Sequence, residues 1–160
     1  MKIHRRKLSS LLLAVVSALV LHCSLLSTAA LAQTPGSWEP YLALLKKDKS
    51  SGVKHAAIYG QDGAKWAASI DAKAGEISAI VAGLKDSSKF QANGIVFAGI
   101  KYMFLTQRSP EGVVGRKGPN SILLRTTNKT VLIIITNDGA NPANITSIDF
   151  VADDLKKKKF

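Results

Sequence analysis

Cysteine occurs once in the 160 residues, at Cys23, and histidine three times, at His4, His22 and His55. A lone thiol forms no internal disulfide and anchors no thiolate metal centre, so apolar packing must hold the fold together. Beyond residue 23 there is no cysteine and only His55, which excludes Cys–His catalysis there and leaves a Ser-His-Asp triad a single candidate base. Metal-ligand spacing is absent. Gly115-Arg116-Lys117-Gly118 lacks the four-residue gap and the Lys-Ser/Thr ending of a phosphate-binding loop. Catalysis, a metal and a cofactor are therefore not expected, and a binding role is.

The first 32 residues have the layout of a secretory signal. Met1 to Lys7 is basic, Leu8 to Leu26 is mostly apolar, and Ala30-Leu31-Ala32 has the small-x-small pattern that signal peptidase accepts. Cleavage before Gln33 is expected, with a secreted or periplasmic domain over residues 33–160; with the leader unused, or after delivery into a host cell, the location is the cytoplasm. A membrane anchor is the alternative, but His22, Cys23 and several serines interrupt a run already short for a span of about 20 residues. Bulky His22 also argues against lipid attachment at Cys23. About 128 residues remain, enough for one domain that buries roughly two thirds of its unfolded surface. Without the leader's four basic residues, 18 basic face 11 acidic residues, a net +7. That balance favours an acidic protein, an anionic lipid surface or nucleic acid. No aromatics interleave with the basic segment near residue 116, so nothing supports specific nucleic-acid binding.

Periodicity outlines an alternation of elements. Ser37 can cap a helix from Trp38 to about Lys47, with Trp38, Tyr41, Leu42 and Leu45 on one face and Pro40 in its first turn. Two short apolar runs, Ala56–Gly60 and Lys65–Ser69, flank Asp62-Gly63, a hairpin signal. A helix from Ala74 to Leu84 follows, then strands at Gly94–Gly99 and Lys101–Leu105 joined around Gly99. Arg108 to Gly112 reads as a turn, with strands at Val113-Val114, Ser121–Arg125 and Thr130–Thr136 and punctuation at Gly115, Gly118, Pro119 and Asn128. Val131-Leu132-Ile133-Ile134-Ile135 does not alternate, which predicts a central strand covered on both faces. Asn144 to Leu155 carries Ile145, Ile148, Val151, Ala152 and Leu155 at helical spacing, and Lys156 to Lys159 sit where the helix dipole favours cations.

Several short motifs occur in one order: Ser37-Trp38-x-x-Tyr41, Asp62-Gly63-x-x-Trp66-Ala67, Phe90-Gln91-Ala92-Asn93-Gly94-Ile95, Lys101-Tyr102-Met103-Phe104, Gly115-Arg116-Lys117-Gly118 and the terminal helix. In order and spacing this set resembles the profilin family over roughly Ser37 to Phe160. The resemblance implies an α+β fold in α/β/α layers: a central antiparallel sheet, N- and C-terminal helices on one face and further helices on the other. It also implies a monomer that binds monomeric actin, proline-rich peptides and phosphoinositides.

By the same resemblance the proline-peptide site uses Trp38, Tyr41, Trp66 and Phe160. A polyproline helix is preformed, so flat rings can grip its ridges and polar tips can meet its carbonyls; the plainer reading is that these rings close the core between the terminal helices. Asp154 stands where the family usually has His or Tyr, which weakens the expected affinity. The actin face implied is Lys101, Met103, Leu105, Lys117, Arg125 and Asn141, against the plainer reading of a solvated basic face. Phosphoinositide headgroups would use Lys101, Arg116 and Lys117, while Lys156 to Lys159 either add membrane attraction or serve as a solvated tail.

Two functional readings stand at this stage. One is an exported actin-monomer binder that influences polymerisation; the other is a secreted or periplasmic ligand-binding or sensory domain with the same fold and no actin binding. Asn128-Lys129-Thr130 and Asn144-Ile145-Thr146 are glycosylation sequons that matter only in a eukaryotic secretory route.

Overall fold

In a computed structural model of the chain, the structure describes residues 38–46, 52–137 and 139–160. The leader, its cleavage point, Ser37 as a helix cap and Lys47 lie outside the described residues. The elements are α1 (Glu39–Leu45), β1 (Val53–Gly60), β2 (Lys65–Ala68), α2 (Glu76–Lys85), α3 (Ser88–Asn93), β3 (Ile95–Phe97), β4 (Ile100–Ser109), β5 (Gly112–Lys117), β6 (Asn120–Thr126), β7 (Thr130–Thr136) and α4 (Pro142–Lys157).

The strands form one seven-stranded sheet in the order β2-β1-β7-β6-β5-β4-β3, and every neighbouring pair is antiparallel. β7 lies inside it, and all its residues are buried, as its unbroken apolar run predicts. Its side chains alternate between two cores. Leu132 and Ile134 pack with Leu42, Leu45, Ile148, Val151 and Leu155 of the terminal helices. Val131, Ile133 and Ile135 pack with Ile77, Ile80, Leu84 and Phe90 of α2 and α3. Each fully buried Ile or Leu contributes roughly 1.5–3 kcal/mol, so the two layers together supply the cohesion that disulfides would otherwise provide. The α/β/α layering and the placement of the terminal helices on one face agree with the expectation.

Local chemistry explains most boundaries. α4 starts at Pro142, two residues before Asn144, because the Asn141 side chain accepts the N–H of Asn144 at 3.0 Å and Pro142 needs no partner in the first turn. Across β3 and β4, Phe97 pairs with Ile100, leaving Ala98 and Gly99 as a two-residue turn with φ of 53° and 76°. Two positive φ values make a turn whose twist matches its strands.

Four expectations are corrected. β4 runs to Ser109, so the turn expected over Arg108–Gly112 shrinks to Pro110 and Glu111; exposed polar residues hid the strand's end. β5 extends through Lys117, so Gly115-Arg116-Lys117 is strand and only Gly118 and Pro119 turn. α2 begins at Glu76, behind Gly75 in the left-handed region, and not at Ala74. α3 was not foreseen, because six residues with one buried side chain, Phe90, are too few to show a helical period.

Candidate functional site

The aromatic residues predicted to act together do meet. α1 brings Trp38 and Tyr41 to 5.7 Å between ring centroids, β2 sets Trp66 at 4.3 Å from Trp38, and the chain end sets Phe160 at 5.1 Å from Trp38 and 5.9 Å from Trp66. The end is held by Phe160 N–H donating to Leu155 O at 2.9 Å and Phe160 O accepting from Asn128 N–H at 3.1 Å. Trp38 is 3% exposed and belongs to the core, which is the plainer reading for that residue, while Tyr41, Trp66 and Phe160 are half-buried around it. Among the described residues, the Trp38 indole N–H is enclosed without a hydrogen-bond partner. A buried indole N–H usually finds an acceptor, so this donor is an unsatisfied group within the cluster.

Asp154 enters the same cluster from α4. The Tyr41 hydroxyl donates to Asp154 Oδ2 at 2.9 Å, and Lys158 Nζ donates to that oxygen at 2.8 Å and to the Tyr41 hydroxyl at 2.5 Å. Hydrogen bonds from Lys158 and then Tyr41 hold the Asp154 carboxyl below its ordinary value, and the bonds that Lys158 makes to Asp154 and then to the Tyr41 hydroxyl hold its ammonium well above the lysine range. The carboxylate is therefore charged and already paired. Sequence reading placed Asp154 in the groove and missed Lys158; the i,i+4 spacing of the two was the available signal.

The second candidate surface lies on β4 and β5. Lys101, Met103 and Leu105 are exposed on β4, with Met103 at 66% and Leu105 at 47%. Met103 pairs with Arg116, which brings the β5 cations alongside, and Lys101, Met103, Arg116 and Lys117 line an open depression of about 590 Å³ with Phe90 and Phe104 at its apolar side. Arg116 Nε donates to Gly118 O at 2.9 Å, which orients the guanidinium. The three residues expected at an anionic headgroup, Lys101, Arg116 and Lys117, are thus in one place. Phe150, 63% exposed on α4, is an apolar residue the sequence reading passed over; it falls out of phase with the Ile148, Val151 and Leu155 stripe, and that was its signal.

Arg125 and Asn141 stand apart from that set. Arg125 pairs through β5 with the Ser109 end of β4, eight residues or roughly 26 Å along the strand from Lys101. Only 14% of its side chain is exposed, and it bonds Ser109 Oγ at 2.5 Å and faces Glu111 and Asp149 at 3.4 Å each. Asp149 also meets Arg108 at 3.2 Å, and Lys156 pairs with Glu111, so this ionic network ties α4 to the sheet. Lys156 is engaged in this network and Lys158 with Asp154 and Tyr41, so the terminal lysine run is not uniformly a free tail. Asn141 caps α4. Of the two sequons, Asn128 is exposed, whereas Asn144 is 0% exposed inside the first turn of α4, so the folded domain has room for an oligosaccharide only at Asn128.

Comparison with known proteins gives one answer. The family described as Profilin matches residues 36–160. Profilin-A of Physarum polycephalum is 33% identical over 129 residues, covering 78% of this chain and 99% of the relative. The crystal structure of Acanthamoeba castellanii profilin II is 26% identical, with a TM-score of 0.65 over 75% of this chain and 99% of that one. Mouse profilin IIa, solved in complex with a double repeat from the FH1 domain of mDia1, is 19% identical with a TM-score of 0.62, and covers 77% of this chain and 99% of its own. With its sheet order, its layers and its aromatic cluster between the terminal helices, this chain belongs to the profilin family.

Proposed function

We propose that the protein binds monomeric actin through the exposed face of β4 and β5, and proline-rich peptides through the cluster of Trp38, Tyr41, Trp66 and Phe160. Profilins are non-enzymatic proteins that generally bind actin and poly-proline. The observation that carries the actin reading is the pair of outward apolar side chains, Met103 and Leu105, flanked by Lys101, Arg116 and Lys117. Exposed apolar residues rimmed by charge suit a protein partner, and cations speed encounter with an acidic one. The half-buried rings of Tyr41, Trp66 and Phe160 gathered around Trp38 support the peptide reading, since flat rings can grip the ridges of a polyproline helix.

Calorimetric titration of the chain into monomeric actin tests this, with Lys101→Glu plus Lys117→Glu as the control. Micromolar binding lost in the control supports it; no binding by a folded wild type returns the ligand-binding alternative, which the family membership otherwise disfavours. The gathering of Lys101, Arg116 and Lys117 in one depression supports a second ligand there, an anionic phosphoinositide headgroup, checked by sedimentation with vesicles that carry it. The basic, apolar and small-x-small regions of residues 1–32 support export with cleavage before Gln33; intact Met1–Ala32 on protein from its own cells would overturn that.

A further inference from the structure

A run of prolines has no backbone N–H, so every hydrogen bond it makes to a groove is accepted by one of its carbonyls. The groove must supply the donors. Of the four rings in the cluster, Phe160 has no polar tip, and the Trp38 indole N–H is enclosed. That leaves the tips of Tyr41 and Trp66, both half-buried side chains.

A tyrosine hydroxyl has one proton to give. In Tyr41 it goes to Asp154 Oδ2 at 2.9 Å, across 113 residues of chain. Hydrogen bonds from Lys158 and then Tyr41 keep the Asp154 carboxyl below its ordinary value, so at neutral pH it is ionised and only accepts. A hydrogen bond to a charged acceptor is roughly twice as strong as one to a neutral carbonyl. With 35% of the Asp154 side chain exposed, the bond lies where a ligand reaches it, and that ligand finds the proton taken. Lys158 Nζ donates to the hydroxyl oxygen at 2.5 Å, a contact that does not use the proton. Without Asp154 the same contact would polarise the O–H toward a new acceptor.

We propose that Asp154 is a specificity-determining residue of the proline-peptide groove. By holding the Tyr41 proton it leaves, of the four rings, only the Trp66 N–H for a ligand carbonyl, so the groove grips prolines chiefly by ring contact. The proposal rests on the groove reading given above. Its effect runs through the Tyr41 hydroxyl, which separates it from the mere presence of a charge, or the absence of a ring, at position 154.

The test uses the full-length chain as wild type, Asp154→Ala, Tyr41→Phe and the double variant, with a fluorescent proline decamer. Asp154→Ala releases the proton to a peptide carbonyl and should bind about fivefold tighter than wild type, the worth of one hydrogen bond. Tyr41→Phe should cost about fivefold more in the Asp154→Ala background than in the wild-type one, the coupling that a double-mutant cycle isolates. Asp153→Ala removes an exposed charge next to Asp154 in sequence and should bind as wild type does. Unchanged affinity in Asp154→Ala would overturn the proposal. So would a gain that survives in the double variant, or one that Asp153→Ala reproduces, since either traces to room or charge and not to the hydroxyl. Absence of binding by wild type and Asp154→Ala alike, with circular dichroism showing both folded, would remove the groove reading itself and this proposal with it.

Discussion

Glu76, the first residue of α2, grips the backbone of Ala98 in the turn between β3 and β4: one carboxylate oxygen accepts the Ala98 N–H at 2.7 Å. The other accepts Gly99 N–H at 2.8 Å, and Lys73 N–H is held at 2.7 Å. A two-residue turn with both φ values positive aims these donors away from its own strands, so they need an outside acceptor. Ala98 at φ 53° also carries strain of about 1 kcal/mol or more, which this grip offsets.

Glu76→Ala leaves three donors without their carboxylate in a largely buried position. At about 1–3 kcal/mol for each unsatisfied group, partly relieved by water, a loss of about 3 kcal/mol is expected. Urea unfolding checks it; a loss under about 1 kcal/mol would mean that water replaces the carboxylate at little cost.

Gly83 is buried in α2, and a Cβ there would lie 2.4 Å from two ring carbons of Phe90. Alanine would add up to about 1 kcal/mol of helix propensity, but overpacking costs about 1–3 kcal/mol. Gly83→Ala should therefore be net destabilising. A double variant that also carries Phe90→Leu should recover part of the loss, and additive effects of the two changes would contradict the close approach.

Arg125→Ala should lower stability by about 2 kcal/mol, because it strips Glu111 and Asp149 of a partner at the seam between α4 and the sheet. The exposed residues of the proposed actin face, Lys101 and Met103 among them, lie toward the other end of β4 and keep their places. Binding to actin should therefore fall far less than with the Lys101 and Lys117 changes; an equal fall in binding with no change in stability would make Arg125 a direct contact.

His55 titrates below its ordinary 6.5, first because of burial and then through Lys54 and Lys46. A lowered folded value means that the unfolded chain binds the proton more readily. Its contribution to stability is present above pH 6.5 and declines as pH falls through the lowered value. The imidazole midpoint by NMR should lie below 6.5, and His55→Gln should flatten the thermal-stability profile between about pH 7 and 5. A midpoint at or above 6.5 would contradict the account.

Much of the fold could be read from local patterns because those patterns report local physics. The unbroken Val131–Ile135 run announced a strand between two layers, Asp62-Gly63 announced a hairpin, and the stripe from Ile145 to Leu155 announced the last helix. Boundaries drifted where a structural cause lay elsewhere in the chain. β4 continues to Ser109 through exposed polar residues because β5 offers it a hydrogen-bonding partner, a feature no alternation records.

The sequence by itself determined the absence of disulfides, the basic charge and a central strand covered on both faces, since each follows from residue type and short-range spacing; the layered α+β plan and the meeting of the aromatics were implied only by the resemblance to profilins. The tertiary structure alone decided what those residues do once together. Tyr41 and Asp154 are 113 positions apart, yet their hydrogen bond and the ammonium of Lys158 settle how the groove presents its hydroxyl. Arg125 is likewise turned into the α4 seam by Asp149 and Glu111 and away from solvent. Periodicity carries no information on such pairings, because they arise only when sheet order and helix placement bring distant side chains within hydrogen-bonding range.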